Sequence, residues 1–464
     1  MSMSLKEYIA SLKGKRIAII GIGVSNRPLI EALLQGGCDV TACDKSSREA
    51  LGEMADHFEQ LGAKLRFGPT YLDDLRFDVI FRTPGMHPFQ PALVQAREQG
   101  AEITSEMEIF IRLCPCRIFA ITGSDGKTTT STVIAELLKA EGYTVHLGGN
   151  IGRPLLTTVD SMRPEDMVVL ELSSFQLHSM RMEGKPDVAV ITNIAPNHLD
   201  VHPSYEDYID AKRSIYLYQK ESGRLVLNLN NEHTRGFAPE ANGEVLFFGK
   251  NAAPKDGYFL QDGMIYAAEN GVARAFLSSD EIRIPGEHNV ENYMTAFCAV
   301  RGLVSEETCH AVARTFSGVP HRLETVRTLH GVTYINDSIA SSPSRTTAGL
   351  HSFQKKPILI AGGYDKHIPF DGLGREIVDH VKALFLTGFT AEKIKAAVGA
   401  CPDYDPAKLP VTVIDDFTEA VLAASAAAEE GDIVLLSPAC AAFDKFKNFA
   451  VRGEYFRTIV NGLE

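Results

Sequence analysis

Short apolar segments alternate with helical patterns along this chain, and they fall into three successive groups. The first group has the apolar runs KRIAII, DVTACD and FDVIFRTPG, with the helical stretch PLIEALLQGG after the first of them. Runs of this kind are typical of strands buried on both faces, and their alternation with helices indicates a parallel sheet. The first group extends to about residue 105 and predicts an α/β domain.

The second and third groups repeat this alternation. The second contains CRIFAIT, MVVLEL and DVAVITN, and the third contains VTYIND, PILIAGG, ALFLTG, VTVIDD and DIVLLSP. We therefore expect an α/β fold with three domains in series: a Rossmann-like N-terminal domain in residues 1–105, a P-loop ATPase-like central domain in 106–318 and a Rossmann-like C-terminal domain in 319–464. A chain of 464 residues has room for these three domains.

Composition restricts the class of protein further. The formal net charge of −13 argues against a nucleic-acid partner and against binding to an anionic membrane surface, because both require basic patches. No run approaches the roughly 20 apolar residues of a membrane span, and the first residues lack a secretory apolar segment. The eight cysteines include no C-x-x-C pair. We expect a cytoplasmic protein with no membrane insertion.

A Gly-rich turn opens the second group and is the clearest chemical signal. Four residues, Gly123, Ser124, Asp125 and Gly126, follow a buried strand and precede Lys127, Thr128 and Thr129 at the start of a helix. We call residues 123–126 the phosphate loop, because its N–H groups and the helix N-terminus can surround phosphate oxygens. Lys127 can reach the β- and γ-phosphates of a nucleotide, and Thr128 can ligate Mg²⁺.

The spacing of this motif departs from the standard phosphate-binding loop. The residue six before Lys127 is Ile121, where the standard G-x-x-x-x-G-K-[ST] pattern has its first glycine. A simple Gly-containing turn between a strand and a helix is therefore the alternative. The GKT sequence directly between a β-rich strand and a helix favours phosphate binding.

Candidate metal ligands follow the next two strands of this group. Glu171 ends a buried strand, where an acid can hold Mg²⁺ opposite a phosphate loop, although a solvated strand end is the alternative. His198 and Asp200 lie in the loop after the following strand. A lone histidine in a loop is more often structural or exposed than functional, so His198 carries little weight by itself.

The helix predicted in PSYEDYIDAKRSIYLYQ carries a lysine in an unusual place. Its apolar face contains Tyr205, Tyr208, Ile209, Ile215 and Tyr216, and Lys212 falls in the middle of that face. Ser204 and Asp207 predict a capping box at the start of the helix. An ammonium group amid apolar side chains is costly unless it is paired or neutralised. Lys212 is therefore either a snorkelling lysine at the edge of the stripe or an amine that is kept neutral or chemically modified.

A second Gly-rich turn, GIGVSN, joins the first strand to the first helix of the N-terminal group. Asp44 ends the next strand, about 20 residues further on, as in a dinucleotide-binding fingerprint. The sixth position is Asn26 instead of glycine, so the fingerprint is incomplete. A nicotinamide oxidoreductase and a protein that binds a uridine diphosphate group both remain open at this point, since both would place a diphosphate at the helix N-terminus.

Taken in order, these motifs resemble the Mur ligase family. The segments that carry the resemblance span the chain from Gly21 to Phe449 and include TGSDGKTTT, GGNIG, LELSSFQL, NHLD, the lysine helix, GEHNVEN, PHRLE and IND. The segments ELSSFQL, HRLE, INDSIASSP and LLSPACAAFDKFKNFAVRG are similar to the D-glutamate-adding branch of the family.

The resemblance implies an activity and a set of ligands. A protein of this kind would use ATP to add D-glutamate to UDP-N-acetylmuramoyl-L-alanine through an acyl phosphate, as a monomer, in peptidoglycan precursor synthesis. Two Mg²⁺ ions would take part, and Lys212 would carry a carbamate derived from CO₂. The N-terminal, central and C-terminal domains would bind the UDP substrate, ATP and the amino acid, respectively.

The resemblance also assigns roles to individual residues. Lys127, Glu171, His198 and Lys212 would be catalytic, and Thr128, Glu171, His198 and Lys212 would hold the metal ions. ATP would contact the phosphate loop, Lys127, Thr128, Thr129, Asn289, Arg322 and Asp337. The UDP substrate would contact Gly23, Val24, Ser25, Asp44, Gly85, Asn150 and Ser173, and D-glutamate would contact Ser341, Lys366 and the backbone of Phe449.

Two positions depart from the family pattern near the expected amino-acid pocket. Ile339 stands where many relatives have lysine, and Ala442 stands where a serine is common. Sister ligases for L-alanine, diamino acids or folate glutamylation are alternatives within the family. A nicotinamide oxidoreductase and a nucleotide-binding sensor without chemistry are alternatives outside it.

Overall fold

The computed structural model describes residues 3–87, 89–178, 180–196, 202–284, 286–365 and 368–464. The chain forms two compact units, Met1–Phe316 and Ser317–Glu464. The first unit contains two sheets and the second contains one. The three sheets confirm the predicted α/β class, while the domain boundaries expected from the sequence stay predictions.

The first sheet is parallel and has the strand order β3-β2-β1-β4-β5. Its strands are β1 (Arg16–Ile20), β2 (Asp39–Asp44), β3 (Lys64–Phe67), β4 (Val79–Arg82) and β5 (Glu102–Thr104). Helices α1 (Leu5–Ser11), α2 (Asn26–Gln35), α3 (Arg48–Leu51), α4 (Glu53–Gln60) and α5 (Pro91–Glu98) accompany it, and α6 (Glu106–Leu113) leads to the next sheet.

The second sheet has nine strands in the order β14-β13-β12-β11-β10-β9-β6-β8-β7. Its strands are β6 (Arg117–Thr122), β7 (Val145–Gly149), β8 (Met167–Glu171), β9 (Val188–Ile191), β10 (Arg224–Asn228), β11 (Glu244–Lys250), β12 (Gly257–Gln261), β13 (Met264–Glu269) and β14 (Val272–Ser278). Strands β6 to β12 pair in parallel, and β13 and β14 are antiparallel additions at one edge.

Six α-helices accompany this sheet in the described residues. They are α7 (Lys127–Ala140), α8 (Ser174–Leu177), α9 (Tyr205–Arg213), α10 (Glu232–Gly236), α11 (Glu287–Val300) and α12 (Glu306–Thr315). The central parallel strands β1, β6 and β9 are short, buried and rich in branched apolar residues, as expected for sheets covered on both faces. One hydrophobic cluster runs from β1 through α6 to β6 and β8, and it joins the two sheets within this unit.

The second unit has a six-stranded sheet in the order β15-β16-β20-β17-β18-β19. Its strands are β15 (Glu324–Leu329), β16 (Val332–Asn336), β17 (Ile358–Ala361), β18 (Ala383–Leu386), β19 (Val411–Val413) and β20 (Ile433–Leu436). Each strand from β16 onwards precedes a helix: α13 (Pro343–Leu350), α14 (Asp371–His380), α15 (Ala391–Gly399), α16 (Phe417–Ala426) and α17 (Phe449–Asn461). β15 is antiparallel to β16.

No helix among the described residues is both long enough and apolar enough to cross a membrane.

Candidate active site

The phosphate loop leaves the carboxyl end of β6 and enters the N-terminus of α7. The first backbone hydrogen bond of the helix runs from Thr130 N to Gly126 O at 2.9 Å. The N–H groups before it have no acceptor within the helix, as at any helix start, and they can serve an anion. The structure therefore places the loop in the setting that phosphate binding requires.

Both glycines of the loop are required by close contacts and by positive φ angles. A Cβ on Gly123 (φ 147°) would lie 1.9 Å from Thr192 Oγ1, and one on Gly126 (φ 77°) would lie 2.5 Å from Asn292 Oδ1. A residue with a side chain would collide at either position and would also be strained. The absence of a glycine at Ile121 costs nothing here, because Ile121 belongs to the buried strand.

Side chains that follow β9 hold the loop in shape. Asn193 Oδ1 accepts hydrogen bonds from Ser124 N at 3.0 Å and Asp125 N at 2.9 Å. Thr192 Oγ1 donates to Asp125 O at 2.5 Å. Asn193 and Thr192 were not predicted from the sequence, because no spacing relates them to the GKT motif.

The Lys127 ammonium folds back over the loop. Its Nζ donates to Gly123 O at 2.9 Å and to Ser124 O at 3.0 Å. A lysine held by two backbone carbonyls can exchange them for phosphate oxygens with a small movement of a flexible side chain. Lys127 therefore lies where a cation for nucleotide phosphates is needed.

Glu171 lies at the carboxyl end of β8, beside the strand that leads into the loop. Its side chain is buried, and its Oε1 accepts a hydrogen bond from Asn150 Nδ2 at 2.8 Å. Its Oε2 is also buried and has no hydrogen-bond partner in the described structure. The solvated strand end considered above is therefore wrong for Glu171.

Lys212 is one of the largest fully buried side chains in the described residues, with 2% of its surface exposed. Its Nζ donates to Gly123 O at 2.8 Å and to Thr122 Oγ1 at 3.2 Å, and it lies 4.7 Å from the centre of the Tyr208 ring. The amine thus lies directly under the phosphate loop. The snorkelling alternative is wrong, because the side chain does not reach solvent.

Burial lowers the pKa of Lys212 well below the usual lysine value, and the nearby ammonium of Lys127 lowers it further. Asp125 and Glu171 act in the opposite direction but do not compensate. A lowered pKa favours the neutral amine, which is the form that reacts with an electrophile such as CO₂.

The helix that carries Lys212 differs in two respects from its predicted form. It ends at Arg213, so that Ile215 and Tyr216 are buried in the turns that follow it. The predicted capping box is also incomplete. Ser204 Oγ accepts from Asp207 N at 3.1 Å, but the Asp207 carboxylate turns away from the helix start.

The Asp207 carboxylate instead bonds two histidines. His178 Nε2 lies 2.8 Å from Oδ1, and His202 Nδ1 lies 2.6 Å from Oδ2. His202 Nε2 in turn lies 2.9 Å from Ser174 Oγ on α8. This network fixes α9 against the segment that follows Glu171, and so it positions Lys212. In the sequence, only the capping signal pointed to Asp207, and it predicted the contact of its backbone N–H with Ser204 but not the histidine partners of its carboxylate.

The first Gly-rich turn has a different construction. Asp44 Oδ2 accepts from Ile22 N at 2.7 Å, and Asn26 Nδ2 donates to Gly21 O at 2.9 Å. Asn26 is buried, and its amide occupies the place of the missing glycine of the fingerprint. Val24 is 70% exposed, and Gly23, Ser25 and Gly85 also have exposed surface. These residues are accessible to a ligand at the carboxyl edge of the first sheet.

Burial by itself would raise the pKa of Asp44. Hydrogen bonds from the backbone N–H groups of Ser46 and Ile22, together with the Lys45 charge, outweigh this effect and lower the pKa below its usual value. Asp44 is therefore held in its ionised form.

Two further residues expected at the site lie close to it in the first unit. Asn289 Oδ1 accepts from Asn292 Nδ2 at 3.2 Å, and Asn292 also lies beside Gly126 of the phosphate loop. Ser173 caps α8 and exchanges hydrogen bonds with Gln176. The structure thus brings Asn150, Ser173 and Asn289 into the neighbourhood of Glu171 and the loop.

In the second unit, Asp337 follows β16 and Ser437 follows the adjacent strand β20. Asp337 Oδ2 accepts from Ser437 Oγ at 2.8 Å, and Oδ1 accepts from Leu323 N at 3.2 Å. Burial raises the pKa of Asp337 to about 6, against the opposing effect of these hydrogen bonds. Asp337 was expected from the family resemblance, whereas Ser437 was not predicted.

The other expected residues of the second unit surround the same strand ends. Ser341 precedes α13, and Phe449 begins α17, where its carbonyl accepts from Ser338 Oγ at 2.8 Å. The buried Arg452 donates to Ser338 and to the carbonyls of Cys440 and Ala441, which fixes α17 to the loop after β20. Arg322 is exposed.

His198, Asp200 and Lys366 lie outside the described residues. Their expected roles as a metal ligand, a loop residue and an amino-acid contact stay predictions.

The residues present suit Mg²⁺ in part. Magnesium prefers oxygen ligands, and the unpartnered Glu171 Oε2 and the hydroxyl of Thr128 at the start of α7 are ligands of that kind. The amine of Lys212 is not such a ligand, whereas a carbamate on it would be.

Comparison with known proteins agrees with this site. The family model of the Mur ligase middle domain matches residues 121–300, and the model of the Mur ligase glutamate ligase domain matches residues 321–440. The chain belongs to the Mur ligase family. It is similar over its full length to the UDP-N-acetylmuramoylalanine–D-glutamate ligase of Clostridium novyi, with 48% identity over 464 residues and 100% of both chains covered. The protein of the same name from Acetivibrio thermocellus is 48% identical over 467 residues, again with 100% of both chains covered.

Solved structures show the same fold at lower identity. A UDP-N-acetylmuramoyl-L-alanyl-D-glutamate–2,6-diaminopimelate ligase has a TM-score of 0.56 and 19% identity, and the match covers 98% of this chain and 94% of that one. The MurF ligase of Thermotoga maritima, solved in complex with ADP, has a TM-score of 0.52 and 17% identity, with 98% and 96% covered.

Proposed function

We propose that the protein is an ATP-dependent ligase that adds D-glutamate to UDP-N-acetylmuramoyl-L-alanine through an acyl-phosphate intermediate. The reaction belongs to the synthesis of peptidoglycan precursors, and we place it in the cytoplasm. The full-length identity of 48% to ligases of that name supports the substrate pair.

One observation supports the chemistry most directly. The fully buried amine of Lys212 and the unpartnered oxygen of Glu171 both border the phosphate loop. Each group lowers the stability of the folded chain, since burying a lysine amine costs free energy, and so does burying a carboxylate oxygen without a hydrogen-bond partner. A carbamate on Lys212 together with Mg²⁺ would remove both costs.

The residues of the loop would bind and orient ATP. The N–H groups at the start of α7 and the Lys127 ammonium would face the phosphates, and the family resemblance assigns Asn289, Arg322 and Asp337 to the rest of the nucleotide. Mg²⁺, bound by Thr128, Glu171, His198 and the carbamate of Lys212, would neutralise charge on the transferred phosphoryl group. His198 enters this set from the family resemblance.

The two acceptor substrates would occupy the remaining expected positions. Gly23, Val24, Ser25, Asp44 and Gly85 would line the site of the UDP group, and Asn150 and Ser173 would contact the sugar and its peptide. Ser341, Lys366 and the Phe449 backbone would receive D-glutamate. Ile339 and Ala442 are then tolerated variations in that pocket.

The order of bond changes follows from the chemistry of a carboxylate. Its oxygen attacks the γ-phosphorus of ATP, ADP leaves, and the resulting acyl phosphate has the good leaving group that a carboxylate lacks. The amine of D-glutamate then attacks the acyl carbon, loses a proton and expels phosphate to form the amide. The Lys127 ammonium stabilises the phosphate charge during the first transfer.

The test of the reaction is phosphate release with ATP, Mg²⁺ and UDP-N-acetylmuramoyl-L-alanine. D-glutamate, L-glutamate, L-alanine and a diamino acid are compared in parallel, and we expect release with D-glutamate alone. Release with another amino acid would move the protein to a sister reaction. ATP binding without release in any mixture would contradict the ligase and favour a nucleotide sensor.

The carbamate is tested separately through Lys212. We expect Lys212→Ala to lose most of its turnover and to regain part of it with a small added carboxylate. Arg213→Ala is the matched control, because Arg213 is the next residue on the helix and pairs with Asp210 and Glu240 instead of facing the loop. Near-normal turnover of Lys212→Ala would defeat the carbamate.

A further inference from the structure

We propose a second cation site in the Ser317–Glu464 unit, formed by His351, Glu376 and His380 and suited to a transition metal of the zinc class. The three side chains each offer one ligand atom, and these atoms all lie within 4.8 Å of one another. None of the three belongs to the proposed reaction. The proposal therefore stands independently of the ligase activity.

The donor atoms converge on a single carboxylate oxygen. His351 Nε2 lies 2.6 Å from Glu376 Oε2, and His380 Nε2 lies 3.6 Å from the same oxygen. Ligands at about 2.1 Å from a tetrahedral zinc ion are roughly 3.4 Å apart. The two measured separations lie on either side of that value, so small side-chain rotations would place a cation among the three atoms.

The backbone presents these side chains without strain. Glu376 and His380 are four residues apart on α14 and so lie on one face of the helix, one turn apart. His351 is the C-cap residue of α13, and its ring approaches that of His380 with the centres 4.8 Å apart. The bound cation would therefore link the C-terminal end of α13 to the C-terminal half of α14.

The chemistry of this ligand set favours zinc over magnesium. Two imidazoles and one carboxylate, with a fourth position left for water, form a common zinc set, whereas magnesium prefers oxygen ligands in an octahedron. The side chains are 51%, 29% and 40% exposed for His351, Glu376 and His380, so a hydrated cation can reach them.

A second group of similar composition shows what distinguishes this site. His87, His178 and Asp207 also have ligand atoms within 4.8 Å of one another. Both carboxylate oxygens of Asp207 are already bonded, one to His178 and one to His202, and the group positions the Lys212 helix. In the α13–α14 group both histidines approach the same oxygen, Glu376 Oε2, and none of the three side chains positions a residue of the proposed reaction.

The test measures cation binding by the tag-free, full-length protein after treatment with a chelator. Millimolar Mg²⁺ is kept in the buffer to occupy oxygen-rich sites, and Zn²⁺ is added in a calorimeter, with Co²⁺ absorption as a second readout. Wild type is compared with His351→Ala, His380→Ala and Glu376→Gln. The matched control is His57→Ala, since His57 is 52% exposed and pairs with Glu31 at 3.0 Å but belongs to no group of three potential ligands among the described residues.

We expect wild type and His57→Ala to bind one equivalent of Zn²⁺ that the three site variants bind more weakly. Loss of a direct ligand should weaken binding by more than the roughly 10- to 100-fold that loss of a second-shell partner costs. Co²⁺ should give the intense visible bands of a tetrahedral complex in wild type and in the His57→Ala control, but not in the three site variants. Equal Zn²⁺ binding by wild type and all three site variants, or no binding by wild type, would overturn the proposal.

Discussion

The β1–α2 junction and the β6–α7 junction both carry a Gly-rich turn from a buried strand into a helix, and they differ in the group that supports the turn. Asp44 supports the first turn by accepting a hydrogen bond from Ile22 N. Lys212 supports the second by donating to Gly123 O. The pKa of both groups is lowered, and the lowered pKa has opposite consequences for the charge of an acid and of a lysine. An acid with a lowered pKa stays charged, whereas a lysine with a lowered pKa tends to be neutral.

The two turns also differ in how much room surrounds their glycines. The first turn is open at Gly23, where an added Cβ would have no neighbour within 4 Å, and Val24 projects into solvent. The phosphate loop is tightly enclosed at Gly123 and Gly126. A side chain would therefore fit at Gly23, whereas it would collide at Gly123 and at Gly126.

Removing the cation of the β6–α7 junction should have the largest effect. We expect Lys127→Met to reduce phosphate release by about 10³-fold or more, because a preorganised charge at the transferred phosphate is lost. The assay is phosphate release at saturating substrates. Lys139→Met serves as the control, since Lys139 lies on the same helix and pairs with Glu136 at its surface. Turnover within tenfold of wild type would mean that Lys127 does not contact the phosphates.

Replacing one glycine of each turn with alanine tests whether the two turns differ in the space around them. Gly123→Ala should lower kcat/KM for ATP by about 10²-fold, because a shift of about 1 Å in a binding loop has effects of that size. Gly23→Ala should leave the ATP dependence unchanged, since nothing lies within 4 Å of its added Cβ. The measurement is initial rate against ATP concentration for both variants. Equal losses in the two would show that crowding does not distinguish the turns.

The buried amine predicts a pH dependence of stability. Between the lowered pKa of Lys212 and its unfolded value near 10.5, the unfolded chain binds a proton that the folded chain does not. Wild type should therefore gain stability as pH rises, by up to about 1.4 kcal/mol per pH unit relative to Lys212→Met. The gain should stop above the unfolded pKa. Melting temperatures of both proteins in CO₂-depleted buffer, from about pH 7 to about pH 10, measure the difference. A flat difference would contradict a neutral buried amine.

The smallest effect is expected at the acid of the first turn. Asp44→Asn keeps an oxygen for Ile22 N but loses the charge, which should cost about 1 kcal/mol, or about fivefold, in the KM of the UDP substrate. The KM of ATP should not change. Kinetics with each substrate varied in turn give both values. An altered ATP KM would show that the two junctions are coupled.

The strands that the sequence revealed are the ones with buried, branched runs. β1, β2, β4, β6, β8 and β9 have such runs and were predicted. β3, β5 and β15 were not, because they lie at sheet edges and have mixed polarity and exposed positions. An edge strand buries at most one of its two faces, so its hydrophobic pattern is weak. Pairing with the neighbouring strand then determines its conformation.

The site was predictable where one segment carries the chemistry and not where distant segments meet. Lys127, Glu171 and Lys212 were identified from a loop motif, a strand end and an apolar helix face. Asn193 and Ser437 were missed, because each contacts its partner, Asn193 the phosphate loop and Ser437 Asp337, only through the pairing of strands far apart in sequence. The shortened α9 was missed because burial of Ile215 continues the apolar pattern past the end of the helix.

Asn193 also determines when the phosphate loop becomes ordered. One side-chain oxygen fixes two consecutive backbone N–H groups of the loop, and both partners of these hydrogen bonds belong to the chain itself. The conformational entropy of those residues is therefore lost when the chain folds and not when ATP arrives. The free energy of nucleotide binding then does not include the entropy lost in ordering the loop. That loss instead lowers the free energy of unfolding of the first unit.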